Sequence, residues 1–107
     1  MGLIYLDACL LIYAIERDPV FSPKVVEAFR GHRGGRYAIS PLVRMECMLK
    51  PIRVADEILQ RQYSRAFDRF IELDMPSAVF GAATRLRARF GLRTPDALHL
   101  ACAVHHG

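Results

Sequence analysis

Three carboxylates, Asp7, Glu46 and Asp96, stand where the chain is otherwise apolar. Asp7 closes an apolar run over residues 3–6, Glu46 lies inside a mostly apolar segment, and Asp96 opens another. An unpaired buried carboxylate is costly, so such groups usually find a cation, a hydrogen-bond network or a metal ion. Carboxylate oxygens favour hard cations, so the three acids predict a Mg²⁺ or Mn²⁺ site if the fold brings them together.

A divalent ion beside a phosphodiester polarises the phosphoryl oxygen, lowers the pKa of an attacking water and stabilises the leaving oxygen. The sequence offers no rival nucleophile, because it lacks a G-x-S-x-G elbow, a P-loop and a Rossmann glycine motif. The acids therefore favour hydrolysis without a covalent enzyme intermediate.

Each acid also has a structural interpretation. Asp7 suits the N-cap of a following helix, and Asp96 suits the first turn of another, where it complements the helix dipole. Glu46 has Lys50 four residues on, a spacing typical of a surface ion pair. His99, three residues after Asp96, offers a further alternative, an Asp-x-x-His zinc site.

The elements that would position these residues alternate between strands and helices. Short apolar runs predict strands at residues 2–6, 37–39 and 71–73. Helices are expected over 8–15, over about 54–70, from Pro76 to Phe90, and after three hydroxyl-proline pairs, in which the hydroxyl residue is the predicted N-cap: Ser22-Pro23, Ser40-Pro41 and Thr94-Pro95. We expect the second of these to carry Glu46 and to stop at Pro51.

This alternation predicts an α/β fold with a short parallel sheet. Ligands of such sheets gather at the carboxyl ends of the strands. Asp7 follows the first predicted strand, Glu46 lies in the helix leaving the second, and Asp96 lies in the first turn of the last helix. All three acids are therefore expected at one edge.

Length and composition narrow the class of protein. The 107 residues form one predicted domain, 1–107, with a mild basic excess of +4. No apolar run reaches the length of a membrane span, so we expect a cytoplasmic protein. The three cysteines fit neither a disulfide framework nor a CxxC zinc site, and we expect them to be small buried thiols. Arginines form two groups that are either solvated helix faces or anion-binding surfaces: Arg61, Arg65 and Arg69, and Arg85, Arg87, Arg89 and Arg93.

Three segments resemble the PIN-domain family, and within it the VapC-type toxins of bacterial toxin–antitoxin pairs. They are Leu3-Ile4-Tyr5-Leu6-Asp7-Ala8-Cys9, residues 39–46 (ISPLVRME) and residues 92–101 (LRTPDALHLA). The resemblance covers almost the whole chain in order and spacing. It implies a three-layer α/β/α fold and places Asp7, Glu46 and Asp96 at the family's acidic metal-binding positions.

The resemblance further implies a Mg²⁺- or Mn²⁺-dependent endoribonuclease that cuts RNA, forms a homodimer and is silenced by a cognate antitoxin. It gives the apolar residues near the N-terminus a role in receiving the antitoxin, with core packing as the alternative for each: Leu10, Leu11, Tyr13, Val20 and Phe21.

Two departures from the family pattern matter. PIN domains typically continue with a fourth strand, a further acidic turn and often a fifth strand, which this sequence lacks after His105-His106-Gly107. Such a chain is either shortened or covered by a partner at the exposed sheet edge. Many relatives also carry a hydroxyl residue just after the first Asp, where this chain has Ala8-Cys9. The alternative function is therefore a catalytically impaired PIN-like module that binds protein or RNA.

Overall fold

The computed structural model describes residues 3–16, 23, 24, 27 and 36–107. Within these ranges, three strands form one parallel sheet in the order β1-β2-β3: Leu3–Tyr5 (β1), Arg36–Ile39 (β2) and Ile71–Glu72 (β3). Ile4 lies opposite Tyr37, and Ala38 lies opposite Ile71. The three predicted strands and their parallel pairing are therefore confirmed.

Five helices have described bounds: α1 (Ala8–Ile15), α2 (Pro41–Arg53), α3 (Glu57–Phe67), α4 (Ser77–Phe90) and α5 (Thr94–His106). None of the helices in the described part of the chain is long and apolar enough to cross a membrane. The predicted helix start at Ser22-Pro23 falls largely outside the described residues, although Pro23, Lys24 and Glu27 are helical.

Two hydrophobic clusters give the molecule its layers. The first joins α1, α2 and α3 around residues such as Leu11, Val43 and Tyr63, with Ile39 of the sheet. The second joins α4 and α5 through Val79, Ala97 and their neighbours. Tyr5 of β1 packs against both clusters, so the sheet lies between two helical layers. This is the predicted three-layer α/β/α arrangement.

Side-chain caps fix the starts of three helices. Asp7, Ser40 and Asp56 each accept a hydrogen bond from a backbone N–H in the first turn of α1, α2 and α3. The predicted cap at Thr94 is wrong, because Thr94 is the first residue of α5 and Arg93 is the N-cap, without a side-chain cap bond. Proline occupies the first turn of α5 all the same, since its missing N–H costs nothing there.

The predicted stop at Pro51 is also wrong, because α2 continues to Arg53. Pro51 stands in the last turn and is fully buried, so the packing of its ring offsets the backbone hydrogen bond that it cannot donate. Its carbonyl accepts from the Asp56 N–H at 2.9 Å and from the Gln60 amide at 3.3 Å. Ala55, between α2 and α3, has a positive φ of 54°, so the chain turns here. This turn explains why α3 begins at Glu57, later than predicted.

Candidate active site

Asp7 lies where the chain leaves β1 and enters α1. Its Oδ1 accepts a hydrogen bond from the Leu10 N–H at 3.1 Å, which confirms the interpretation of Asp7 as an N-cap. The residue is exposed, and this single bond orients its carboxylate at the start of the helix, where the positive end of the dipole favours a negative charge.

Glu46 lies in α2 and is paired with a histidine. Its Oε1 is 2.6 Å from Nε2 of His99 in α5, and the His99 and Glu46 side chains are 15% and 29% exposed. The predicted pair with Lys50 is wrong, because Lys50 instead donates to Glu16 at the end of α1, at 3.0 Å. Glu46 therefore pairs with His99 of α5 and not with a residue of its own helix.

The other nitrogen of His99 is also bonded. Tyr5 OH is 2.7 Å from His99 Nδ1 and 2.7 Å from the Oγ of Ser40, which is fully buried. Burial raises the pKa of the Tyr5 phenol to about 12, although the hydrogen bond with Ser40 lowers it. Tyr5 is therefore neutral at physiological pH and has a proton to donate. The available signal in the sequence was a tyrosine inside a short apolar strand and a serine at the end of the next.

Asp96 is exposed in the first turn of α5. Desolvation raises the pKa of the Cys9 thiol above its ordinary value, and the negative charges of Asp7, Glu46 and Asp96 raise it further. The charges of the three carboxylates thus act together on one thiol in the first turn of α1.

These carboxylates are not assembled as a ready-made ligand set. Among the described residues, no group of three or more His, Cys, Asp or Glu side chains is arranged to hold a metal ion. Their chemistry nevertheless fits Mg²⁺ or Mn²⁺, because every donor is a carboxylate oxygen. The zinc alternative at Asp96 and His99 loses its support, because both ring nitrogens of His99 already have hydrogen-bonding partners.

Other residues singled out by sequence have mixed outcomes. Cys47 and Cys102 are buried as expected, whereas Cys9 is exposed, so the prediction for Cys9 is wrong. The Nε2 of His106 lies 2.8 Å from the Asp74 carbonyl oxygen. The N-cap of α4 is Pro76.

The apolar residues near the N-terminus also divide. Leu11 is 2% exposed and belongs to the core, whereas Leu10 is 38% exposed and available to a partner. Tyr13 is partly buried. Val20 and Phe21 lie outside the described residues.

A family model for the PIN domain matches residues 4–107. The chain belongs to the PIN-domain family. No curated protein matches it significantly. PIN domains are generally nucleases, which agrees with the phosphodiester chemistry expected from the acids.

Two solved structures share the fold of this PIN domain. A toxin-antitoxin complex from Klebsiella pneumoniae aligns with a TM-score of 0.75 at 23% identity, over 99% of this chain and 80% of that one. VapBC2 from Rickettsia felis, bound to a DNA fragment from its promoter, aligns with a TM-score of 0.78 at 18% identity, over 98% of this chain and 82% of that one.

Proposed function

We propose that this PIN domain is a VapC-type toxin: a Mg²⁺- or Mn²⁺-dependent endoribonuclease that hydrolyses RNA phosphodiester bonds in the cytoplasm. The observation that carries the proposal is the match of the PIN-domain family model to residues 4–107. The toxin-antitoxin complexes that share the fold of this chain support it.

In this proposal, Asp7, Glu46 and Asp96 would hold the ion. When bound, the ion would polarise a phosphoryl oxygen, make a nearby water more acidic and offset charge on the leaving oxygen. Uncompensated carboxylates repel a phosphodiester, so a cation would be needed between these acids and the RNA. Leu10 fixes the orientation of Asp7 through its N–H, so that the Asp7 carboxylate is partly ordered before any ligand arrives.

Exposed arginines would supply the attraction that brings RNA to the acids. Arg93, the N-cap of α5, is exposed and lies three residues before Asp96, and Arg89 at the end of α4 is exposed as well. Cations of this kind bind nucleic-acid backbones without regard to sequence, and their contribution falls as salt rises.

We also propose a homodimer and a cognate antitoxin as partners. Three apolar side chains of α2 lie at helical spacing on its outer face, Met45, Leu49 and Ile52, and each is more than half exposed. An exposed apolar stripe favours a protein contact, and we assign this one to the second copy. Leu10 is assigned to the antitoxin surface.

The test is RNA cleavage by the purified chain with Mg²⁺ or Mn²⁺ and with EDTA. Cleavage should require the ion, and Asp7→Asn, Glu46→Gln and Asp96→Asn should each abolish it while circular dichroism remains native. Asp68→Asn, which changes an exposed carboxylate at the end of α3, is the matched control and should cut normally. Normal cleavage by the three site variants would remove the assignment.

A catalytically impaired binding module is the second candidate. It is favoured by the lack of an assembled group of three metal-ligating side chains among the described residues. This candidate predicts RNA or antitoxin binding without turnover at any concentration of divalent ion. Metal-dependent turnover by the 107-residue chain would exclude it.

A further inference from the structure

We infer that His99 is a positioning residue for Glu46, held in a single tautomer by Tyr5 and Ser40. This inference rests on the proposed metal-dependent function, because it concerns how the Glu46 carboxylate is presented to the ion. It adds to that proposal three polar residues that do not themselves touch the ion.

The direction of each hydrogen bond follows from donor capacity. An ionised carboxylate only accepts, so His99 Nε2–H donates to Glu46 Oε1 across 2.6 Å. In a neutral imidazole, Nδ1 is then an acceptor, and it takes the Tyr5 hydroxyl proton across 2.7 Å. The Tyr5 hydroxyl donates its only proton to His99, so the Tyr5 oxygen accepts a hydrogen bond from the Ser40 hydroxyl across 2.7 Å.

This series of hydrogen bonds, the relay, starts at the backbone of α2. The Val43 N–H donates to Ser40 Oγ at 3.4 Å, as part of the cap of that helix. From Val43 to Glu46, each donor group therefore gives one hydrogen bond and each acceptor atom receives one. Four elements contribute to the relay: β1, the β2–α2 junction, α2 and α5. Because Ser40 is fully buried, the relay begins from a fixed point in the core.

The relay lowers the cost of binding a cation at Glu46. A free glutamate side chain loses rotamer entropy when it is fixed. His99 fixes one carboxylate oxygen of Glu46 in advance, and we assign the second oxygen, Oε2, to the ion. Partners that orient a metal ligand in this way typically change metal affinity by about 10–100-fold when they are removed.

Calorimetric titration with Mn²⁺ alone tests the inference without relying on turnover. His99→Ala should weaken Mn²⁺ binding by about 10–100-fold, and Tyr5→Phe should weaken it by a smaller factor. His99→Gln should bind more tightly than His99→Ala, because its amide N–H can donate to Glu46. His105→Ala, an exposed histidine on the same helix, is the matched control and should bind as the wild type does.

The tautomer gives a second readout that needs no metal. Nitrogen NMR of the metal-free protein should show the His99 proton on Nε2, and Tyr5→Phe should change the His99 spectrum. A proton on Nδ1 would overturn the relay.

The results of the titration distinguish the positioning role of His99 from the proposed metal-dependent function. Unchanged or tighter Mn²⁺ binding by folded His99→Ala, with normal binding by the wild type, overturns the positioning role and leaves the proposed function standing. A wild type that binds no Mn²⁺ overturns both. If His99→Ala does not fold, Tyr5→Phe decides by the same criterion, because it removes one hydroxyl and keeps the packed ring.

Discussion

Replacing Tyr63 by phenylalanine tests how the first helical layer is held together. Tyr63 of α3 is fully buried, and its hydroxyl donates to Glu16 Oε2 at 2.6 Å. Glu16, the C-cap of α1, also accepts from Lys50 of α2 at 3.0 Å. One carboxylate therefore ties three helices, and its side chain is only 20% exposed.

The two bonds to Glu16 should differ in value. A buried hydrogen bond to a charged acceptor contributes about 1.5–3 kcal/mol, so Tyr63→Phe should lower the free energy of unfolding by roughly 2 kcal/mol, or about 10 °C in Tm for a domain of this size. The Lys50 side chain is 70% exposed, and an exposed ion pair contributes about 0–1 kcal/mol. Lys50→Met is therefore the matched variant with a small effect.

The effect of Tyr63→Phe should also depend on pH. Burial alone would raise the pKa of Glu16, but the hydrogen bonds from Tyr63 and Lys50 bring it below its ordinary value. A carboxyl with a lowered folded pKa stabilises the protein above its unfolded pKa, and this contribution is lost as pH falls through the folded value. Tyr63→Phe should therefore lose less stability than the wild type between about pH 6 and about pH 3.5.

Urea denaturation of the wild type and both variants at the two pH values provides the measurement. Equal losses for Tyr63→Phe and Lys50→Met at neutral pH would refute the reasoning from burial. An unchanged acid dependence in Tyr63→Phe would refute the assignment of the lowered pKa to the Tyr63 hydrogen bond.

Two further predictions concern the backbone and the thiols. Ala55 and Gly91 both have a positive φ, 54° and 69° respectively. Because glycine tolerates this conformation and alanine does not, Ala55→Gly should stabilise the protein by about 0.5–1 kcal/mol and Gly91→Ala should destabilise it by about 1 kcal/mol. The urea midpoints of the two variants would show both effects. A loss of stability in Ala55→Gly would contradict this. Cys9 alone among the three cysteines is exposed, whereas burial raises the pKa of Cys47 to about 12, so a thiol reagent should modify one thiol in the native protein and none in Cys9→Ser. Labelling of more than one thiol before unfolding would show that the core opens.

Local signals in the sequence were enough for most of the fold. The Ser40-Pro41 pair predicted the start of α2, and Asp7 predicted both the end of β1 and the cap of α1. The errors came from tertiary packing. Nothing local indicated that the core would hold Pro51 within α2.

The candidate site could be predicted only in part. Its acids stood out because they interrupt apolar segments, and residue type alone indicated the kind of cation. The pairing of Glu46 with His99 joins residues 53 positions apart, and the contact of Tyr5 with His99 spans 94 positions. Helical spacing identifies only neighbours of Glu46 on its own helix, such as Lys50. Partners from distant elements could be identified only once the fold was known.

The most direct test of the central proposal is a crystal of the protein soaked in Mn²⁺ and measured for anomalous scattering. We expect a peak within about 2.0–2.3 Å of carboxylate oxygens from Asp7, Glu46 and Asp96, with His99 still bonded to Glu46. A peak elsewhere, or ordered carboxylates with no peak between them, would contradict it.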